Sequence, residues 1–227
     1  MSRIECVVFD IDDTLYLERD YVRSGFAAVG RWAAAQLGVN DFLDRAWARF
    51  EKGSRHTVFN QVLAECGIEA TPDLVELLVT LYRAHRPQIE LLPDALAALE
   101  SLSGRVQLAV LSDGPLESQQ AKSDALGLAR WCAPIVLTAS LGPGYDKPHQ
   151  LPFTMIEQAS SCRGRSCIYV ADNPAKDFFA PAALGWHTAR VRRLQGLRAH
   201  MEHGEEVDVE MPDLSGLAEV LVLENRD

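Results

Sequence analysis

The stretch that most constrains this chain is Val7-Val8-Phe9-Asp10-Ile11-Asp12-Asp13-Thr14-Leu15, near the amino terminus. Apolar residues, two of them β-branched, climb to Asp10, and carboxylates arrive where a buried strand should end. The acids Asp10, Asp12 and Asp13 repel one another. A fold that keeps them together needs compensation, most simply a divalent cation. Taken alone, the stretch also fits an acidic turn after a strand. Residues much further along the chain bear on that choice.

Beyond Tyr16 the apolar period becomes helical. Val22, Phe26, Val29 and Ala33 share one helical face, and Phe42, Ala46 and Phe50 repeat the pattern. Val58 and Val62 follow, then Leu74, Leu77, Leu78 and Leu81. Gly38, Gly53 and Gly67 separate these segments, and Thr71-Pro72 reads as an N-cap followed by proline at the first helical position. The expectation is a helical domain of about four helices over residues 16–90, inserted into a core made of residues 1–15 and 91–227.

After Pro93 strand and helix patterns alternate. Strands are expected at Val106–Leu111, Ile135–Thr138, Cys167–Ala171, Thr188–Val191 and Val207–Val209, with helices between them. A helix is expected from Asn173-Pro174 to Leu184, and a closing one over Pro212–Leu223. Alternation of this kind implies an α/β fold, a Rossmann-like open and mostly parallel sheet covered on both faces. Ligands bind such sheets beyond the carboxyl ends of the strands. Polar residues gather at those ends here: Asp10 to Thr14, Ser112 to Gly114, and Asp172 to Asp177.

With 48% hydrophobic and 24% charged residues, the chain of 227 residues can bury a core. A net charge of −10 with scattered basic residues argues against nucleic acid as a partner. The basic groups at Arg163/Arg165 and at Arg192/Arg193/Arg198 read as solvated turns. No apolar run approaches the roughly 20 residues needed to cross a bilayer, so no membrane role is expected. Five cysteines without a CxxC or a regular framework read as reduced thiols. No signal peptide is visible, and a cytoplasmic location is expected. The sequence sets no oligomeric state.

Four pieces in this order, Asp10-x-Asp12-x-Thr14, Ser112 at a strand end, Lys147-Pro148 and Asp172-x-x-x-x-Asp177, are each weak alone and strong together. They resemble the four motifs of the haloacid dehalogenase (HAD) superfamily, whose members are mostly Mg²⁺-dependent phosphatases. The helical insert after the first motif looks like the cap of the subfamily that includes phosphoglycolate phosphatase. Gly114-Pro115, Gln119, Lys122, Leu126-Gly127-Leu128 and Phe153 are similar in spacing to that subfamily.

The chemistry makes the same demands. Uncatalysed hydrolysis of a phosphate monoester is extremely slow, so a site must supply a nucleophile, an acid and charge neutralisation. Asp10 suits the nucleophile and Asp12, two residues on, the acid that protonates the leaving oxygen and later activates water. The resemblance implies Mg²⁺ as cofactor, held by the Asp10 carboxylate, the Asp12 backbone carbonyl and Asp172. It implies Ser112, with the amides of Asp113 or Gly114, and Lys147 around the phosphoryl group. Asp177, Asn173 and Thr14 would act one layer out, Asp177 ligating more distantly or orienting Lys147 and the metal waters, and Thr14 orienting the loop through its hydroxyl. Asp113 stands where the subfamily usually has Asn, and Ala171 where Gly is common. An acid at position 12 separates ester hydrolases of the superfamily from its dehalogenases.

The expected activity is hydrolysis of a small phosphorylated metabolite, a sugar or organic-acid phosphate. A phosphomutase using the same aspartate pair and a non-catalytic phospholigand-binding relative stay open. Candidate selectors of substrate are Tyr16, Arg19, Tyr21, Arg23, Ser24, Arg55 and His56.

Overall fold

The computed structural model describes residues 3–223. The chain forms two compact units. One comprises the chain up to Glu18 and from Glu90 onward; the other is Arg19–Ile89.

The first unit is built on a six-stranded sheet, β1 (Cys6–Phe9), β2 (Gln107–Ser112), β3 (Ile135–Leu137), β4 (Cys167–Ala171), β5 (His187–Val191) and β6 (Val209–Met211). Every pairing is parallel, in the order β3-β2-β1-β4-β5-β6. The order turns back on itself between β1 and β4, so a crevice opens beyond their carboxyl ends. In that register Phe9 pairs with both Val110 and Val170, which brings Asp10, Ser112 and Asp172 to one edge of the sheet.

Both faces of the central strands are buried, which is why they read as unbroken apolar runs. One face packs Cys6, Val8, Leu111, Tyr169 and Ala171 with Phe153, Ile156 and Trp186. Helices α5 (Pro93–Leu102), α6 (Leu116–Ala125), α7 (Leu151–Ser160), α8 (Phe179–Ala183) and α9 (Leu217–Leu223) accompany the sheet; α1 to α4 belong to the chain between β1 and α5.

Two expectations about element bounds do not hold. The short strand expected at Val207–Val209 lies instead at Val209–Met211. Asp208 Oδ2 accepts from the Thr188 amide, and the Thr188 hydroxyl donates to the Glu206 carbonyl. These side-chain bonds replace the ladder until Val209. The closing helix begins at Leu217, not Pro212, because Asp213 accepts from the Ser215 amide and starts a 3₁₀ turn first.

The helical unit contains α1 (Glu18–Leu37), α2 (Phe42–Glu51), α3 (Val58–Glu65) and α4 (Pro72–Arg83). Thr71 caps α4, its hydroxyl accepting from the Leu74 amide at 3.3 Å. The stripes of α1, α2 and α3 are buried as their spacing predicts. That of α4 differs: Leu78 is its buried residue and Leu77 is 41% exposed. Tyr82, four residues after Leu78, supplies the rest of the inward face. Its ring lies 5.8 Å from Phe26, 6.0 Å from Phe59 and 5.7 Å from Tyr21.

Gly25 sits beneath the Tyr82 ring, which a Cβ there would strike. Gly25→Ala would gain about 1 kcal/mol of helix propensity but overpack a site walled by aromatic rings, a cost of about 1–3 kcal/mol. The packing cost should win, lowering the melting temperature; an unchanged or higher one would contradict it. Among the described residues no helix is long and apolar enough to cross a membrane.

Candidate active site

Asp10 follows β1 directly, and its amide donates to the Val170 carbonyl at 2.9 Å. The side chain is buried and one oxygen accepts from Lys147 Nζ at 2.9 Å. Lys147 also lies 2.8 Å from Asp177 Oδ1 and donates to the Tyr169 hydroxyl at 2.9 Å. The Tyr169 hydroxyl in turn donates to the Leu111 carbonyl at 3.1 Å, which anchors the lysine to the end of β2. Burial opposes the charge on Lys147, yet Asp10 and Asp177 hold its ammonium well above the ordinary lysine range.

Asp10, Asp172 and Asp177 each offer a carboxylate oxygen within 4.8 Å of the others, all buried. Burial pushes the Asp10 carboxyl up to about 6, against the pull of Lys147 and with the help of Asp177 and Asp12. Asp172 is pushed well above the carboxylate range, first by burial and then by Asp177 and Asp10. Three buried acids with one shared lysine leave negative charge in excess. Hard oxygen donors in that state fit a divalent cation such as Mg²⁺. Of the two roles expected for Asp177, distant ligation of the metal and orientation of Lys147, this grouping is compatible with both, since Asp177 also lies 2.8 Å from Lys147 Nζ.

The Asp177 placement explains a further departure. The helix expected from Asn173-Pro174 begins only at Phe179. Asp177 Oδ2 accepts from the Asn173 amide, and the Asp177 amide donates to the Asn173 carbonyl at 3.0 Å. Asn173 Oδ1 accepts from the Ala175 amide. These bonds close a turn over residues 173–177 and aim Asp177 at Lys147. Asn173 shapes that turn and caps no helix.

Asp12 is placed differently from Asp10. Its carboxylate accepts from Lys122 Nζ at 2.7 and 2.9 Å, from Gln119 Nε2 at 2.9 Å and from the Tyr16 hydroxyl. Burial works against the ionised form, but Lys122, Tyr16 and Gln119 outweigh it and hold Asp12 below the usual range. The side chain does not join the group of three acids, so a metal role for Asp12 falls to its backbone carbonyl alone. Tyr16, a candidate selector by sequence, belongs to the first unit and serves Asp12.

Gln119 and Lys122 are three apart on α6 and face inward, while Leu116 on the same helix is 44% exposed. Their spacing alone assigns them no role. The signal available was an inverted amphipathic pattern, with polar residues at the buried positions.

Ser112 ends β2, buried, and its hydroxyl accepts from Gln119 Nε2 at 3.2 Å. Gly114 has φ +135°, a conformation open to glycine, and a Cβ there would press on Gln119. Asp113 Oδ1 accepts from the Thr138 hydroxyl at 2.9 Å and the Lys147 amide at 3.1 Å; Oδ2 pairs with Lys176 at 2.5 Å. Burial would raise the Asp113 carboxyl, but Lys147 and Lys176 keep it below the usual range.

Thr14 is buried and its hydroxyl has no hydrogen bond among the described residues. The loop is oriented instead by the Thr14 carbonyl, which accepts from Arg193 Nε at 3.0 Å and Nη2 at 2.6 Å. Arg193 also reaches Asp94 at 2.8 Å. Asp13, at φ 51°, accepts from the Glu18 and Leu197 amides. The basic group at 192–198 is therefore not a solvated turn: Arg193 is buried and clamps the loop after Asp12. Arg190, wholly buried, donates to the Asp172 carbonyl at 3.2 Å and pairs with Glu210 at 3.0 Å. Neither arginine carried a sequence signal for its role, because the carbonyls and carboxylates it binds are brought near only by the fold.

Within the helical unit most candidate selectors are already engaged. Arg19 pairs with Glu51 at 2.5 Å, and Arg19 and Arg23 both lie over the Trp47 ring. Arg55 covers Phe50 and donates to the Phe50 and Ser54 carbonyls. Ser24 accepts from the Gln88 amide and Tyr21 is buried; His56 is exposed.

A family model for the haloacid dehalogenase-like hydrolases matches residues 4–185. The chain is similar to the glyceraldehyde 3-phosphate phosphatase of Methanopyrus kandleri, 26% identical over 216 residues and 91% of each chain. It is similar to the phosphoserine phosphatase of Thermus thermophilus, 28% identical over 180 residues, 74% of this chain and 66% of that one. Among solved structures it is similar to the HAD hydrolase YfnB from Bacillus subtilis bound to magnesium, with TM-score 0.68, 19% identity and coverage of 97% and 99%. It is also similar to the 2-haloacid dehalogenase of Pseudomonas syringae pv. Tomato, with TM-score 0.66, 22% identity and coverage of 97% and 99%. At such identities the structural likeness shows the fold.

Proposed function

Because the chain belongs to the haloacid dehalogenase-like hydrolase family, we propose that it is a Mg²⁺-dependent phosphatase of a small phosphorylated metabolite, working through an aspartyl-phosphate at Asp10. The observation that carries this reading is the division of labour between two carboxylates two residues apart. Asp10 shares Lys147 with the acidic group, whereas Asp12 is held on a separate lysine, Lys122. Two acids in different environments suit two different roles.

The Asp10 carboxylate attacks phosphorus in line as the bond to the leaving oxygen breaks, and Asp12, ionised at rest on Lys122, first takes a proton from water and then delivers it to that oxygen. Asp12 then takes a proton from the water that hydrolyses the acyl phosphate, which restores Asp10. The Ser112 hydroxyl and the Asp113 and Gly114 amides hold phosphoryl oxygens, and Lys147 balances their charge and that of Asp10. The bound Mg²⁺ would be held by Asp10, Asp172 and the Asp12 carbonyl, with Asp177 beside them, and supplies Lewis-acid neutralisation of phosphoryl charge.

The named substrates of the two curated relatives, glyceraldehyde 3-phosphate and phosphoserine, are both three-carbon phosphate esters. They support a sugar or organic-acid phosphate as substrate here. The helical unit is the proposed substrate-selecting element, and the cytoplasm, where the five cysteines stay as thiols, the proposed location.

The test is hydrolysis of p-nitrophenyl phosphate and a panel of three-carbon phosphate esters, with Mg²⁺ and with EDTA. Turnover that requires Mg²⁺ is expected. Absence of turnover on every ester would contradict the proposal, and activation by a sugar bisphosphate would identify a phosphomutase instead. Binding is testable without turnover: Mg²⁺ at a hundredfold its Kd should stabilise the fold by about 2.7 kcal/mol, read as a rise in melting temperature. Asp172→Asn should remove most of that rise. An equal rise in the variant would place the ion elsewhere.

A further inference from the structure

Three lysines meet the acids of the site. Lys147 serves Asp10 and Asp177, Lys122 serves Asp12, and Lys176 serves Asp113. Lys176 sits in the turn between Asp172 and Asp177, with 34% of its side chain exposed against 9% for Asp113. The other Asp113 oxygen is fixed by the Thr138 hydroxyl and the Lys147 amide. The Asp113 charge is thus held in place beside Ser112, Gly114 and the Lys147 backbone. A dianionic phosphate group entering there would meet a carboxylate of its own sign.

On the phosphate-ester reading above, we propose that Lys176 is a positioning residue for phosphate binding, acting through Asp113: it cancels the Asp113 charge so that the Ser112–Gly114 turn accepts a dianionic phosphate. The competing role is a mechanical tie between the 173–177 turn and the end of β2. The two differ in what a second substitution does. Removing Lys176 leaves the pair with charge −1, removing the Asp113 charge leaves +1, and removing both returns it to zero. Electrostatics ranks phosphate affinity by that number; a mechanical tie does not.

The experiment compares the wild-type protein with Lys176→Met, Lys176→Arg, Asp113→Asn and the Asp113→Asn/Lys176→Met double variant, all with Mg²⁺. The readouts are competitive inhibition by inorganic phosphate, KM and kcat for p-nitrophenyl phosphate, and thermal melting. Lys176→Met should weaken phosphate inhibition about tenfold, with KM rising more than kcat falls. Asp113→Asn should bind phosphate at least as tightly as wild type. The double variant should regain most of the Lys176→Met loss, and Lys176→Arg should keep phosphate affinity within about threefold of wild type. Wild-type affinity in Lys176→Met, or a double variant as weak as Lys176→Met, would overturn the proposal. If Lys176→Met does not fold, the double variant must still bind phosphate more weakly than Asp113→Asn; equal affinities would overturn it. A wild-type protein that neither turns over nor binds phosphate would sink the phosphatase reading itself. A wild-type protein that does both, with a ranking blind to charge, sinks this proposal alone.

Discussion

Asp10→Asn should abolish turnover, by about four orders of magnitude or more, while leaving the fold intact. The amide oxygen can still accept from Lys147, so the site keeps its geometry and loses its nucleophile. The same substitution should stabilise the protein in EDTA. The Asp10 carboxyl is raised to about 6 by burial, Lys147 opposing and Asp177 adding. A carboxyl raised above its unfolded value is penalised when ionised, so the wild type gains stability as pH falls through about 6 towards about 4. At a pH of about 8 the penalty is fully present and Asn does not carry it. The variant should therefore be more stable there, by on the order of 2 kcal/mol, and the advantage should vanish near a pH of about 4. Turnover above about one part in a hundred of wild type would contradict the nucleophile assignment. A less stable variant at the higher pH would contradict the electrostatic account of the site.

Lys147→Met should act in the opposite sense on stability. It leaves Asp10, Asp172 and Asp177 buried without their shared cation, and breaking one side of a buried pair costs about 3–5 kcal/mol. Tyr169 would lose its donor at the same time. The loss should be largest in EDTA at a pH of about 8. It should shrink with added Mg²⁺, which replaces positive charge, and as acid protonates the raised carboxyls. Turnover should fall by at least about a hundredfold even where the variant is folded, since in the proposed mechanism Lys147 also balances the phosphoryl charge. Chemical denaturation at pH values of about 8 and about 5.5, with and without Mg²⁺, measures all of this. A cost that does not depend on pH or metal would mean that lost packing, not charge, explains the effect.

The sheet was legible because its central strands are buried on both faces. Cys167–Ala171 falls where its apolar run predicts, and the same run logic places β1 and β2 to within a residue or two. Helical stripes were legible in α1 to α3, but α4 hides Tyr82 in a pattern that looks like leucine periodicity. The acids of the site could be read because they sit at strand ends in sequence. Of their partners, Lys147 could be read through the resemblance and the others could not. Lys122 reaches Asp12 from 110 positions away, and Arg193 reaches the Thr14 carbonyl across 179. Tyr169 reads as one more core residue of β4, and only the fold shows its hydroxyl between Lys147 and Leu111. Asn173-Pro174, a cap and a proline that normally start a helix, predict Asp177 inside one. The pull of Lys147 and the bond to the Asn173 amide delayed that helix to Phe179.

The central claim is that phosphate passes through Asp10. Its most direct test is acid quenching within a single turnover, in the presence of Mg²⁺ and excess phosphate ester, followed by peptide mass spectrometry. The account predicts a phosphoryl group on the peptide that contains Asp10, sensitive to hydroxylamine as an acyl phosphate must be, and absent from Asp10→Asn. Turnover with no such adduct in repeated quenches, or an adduct that persists in Asp10→Asn, would contradict it.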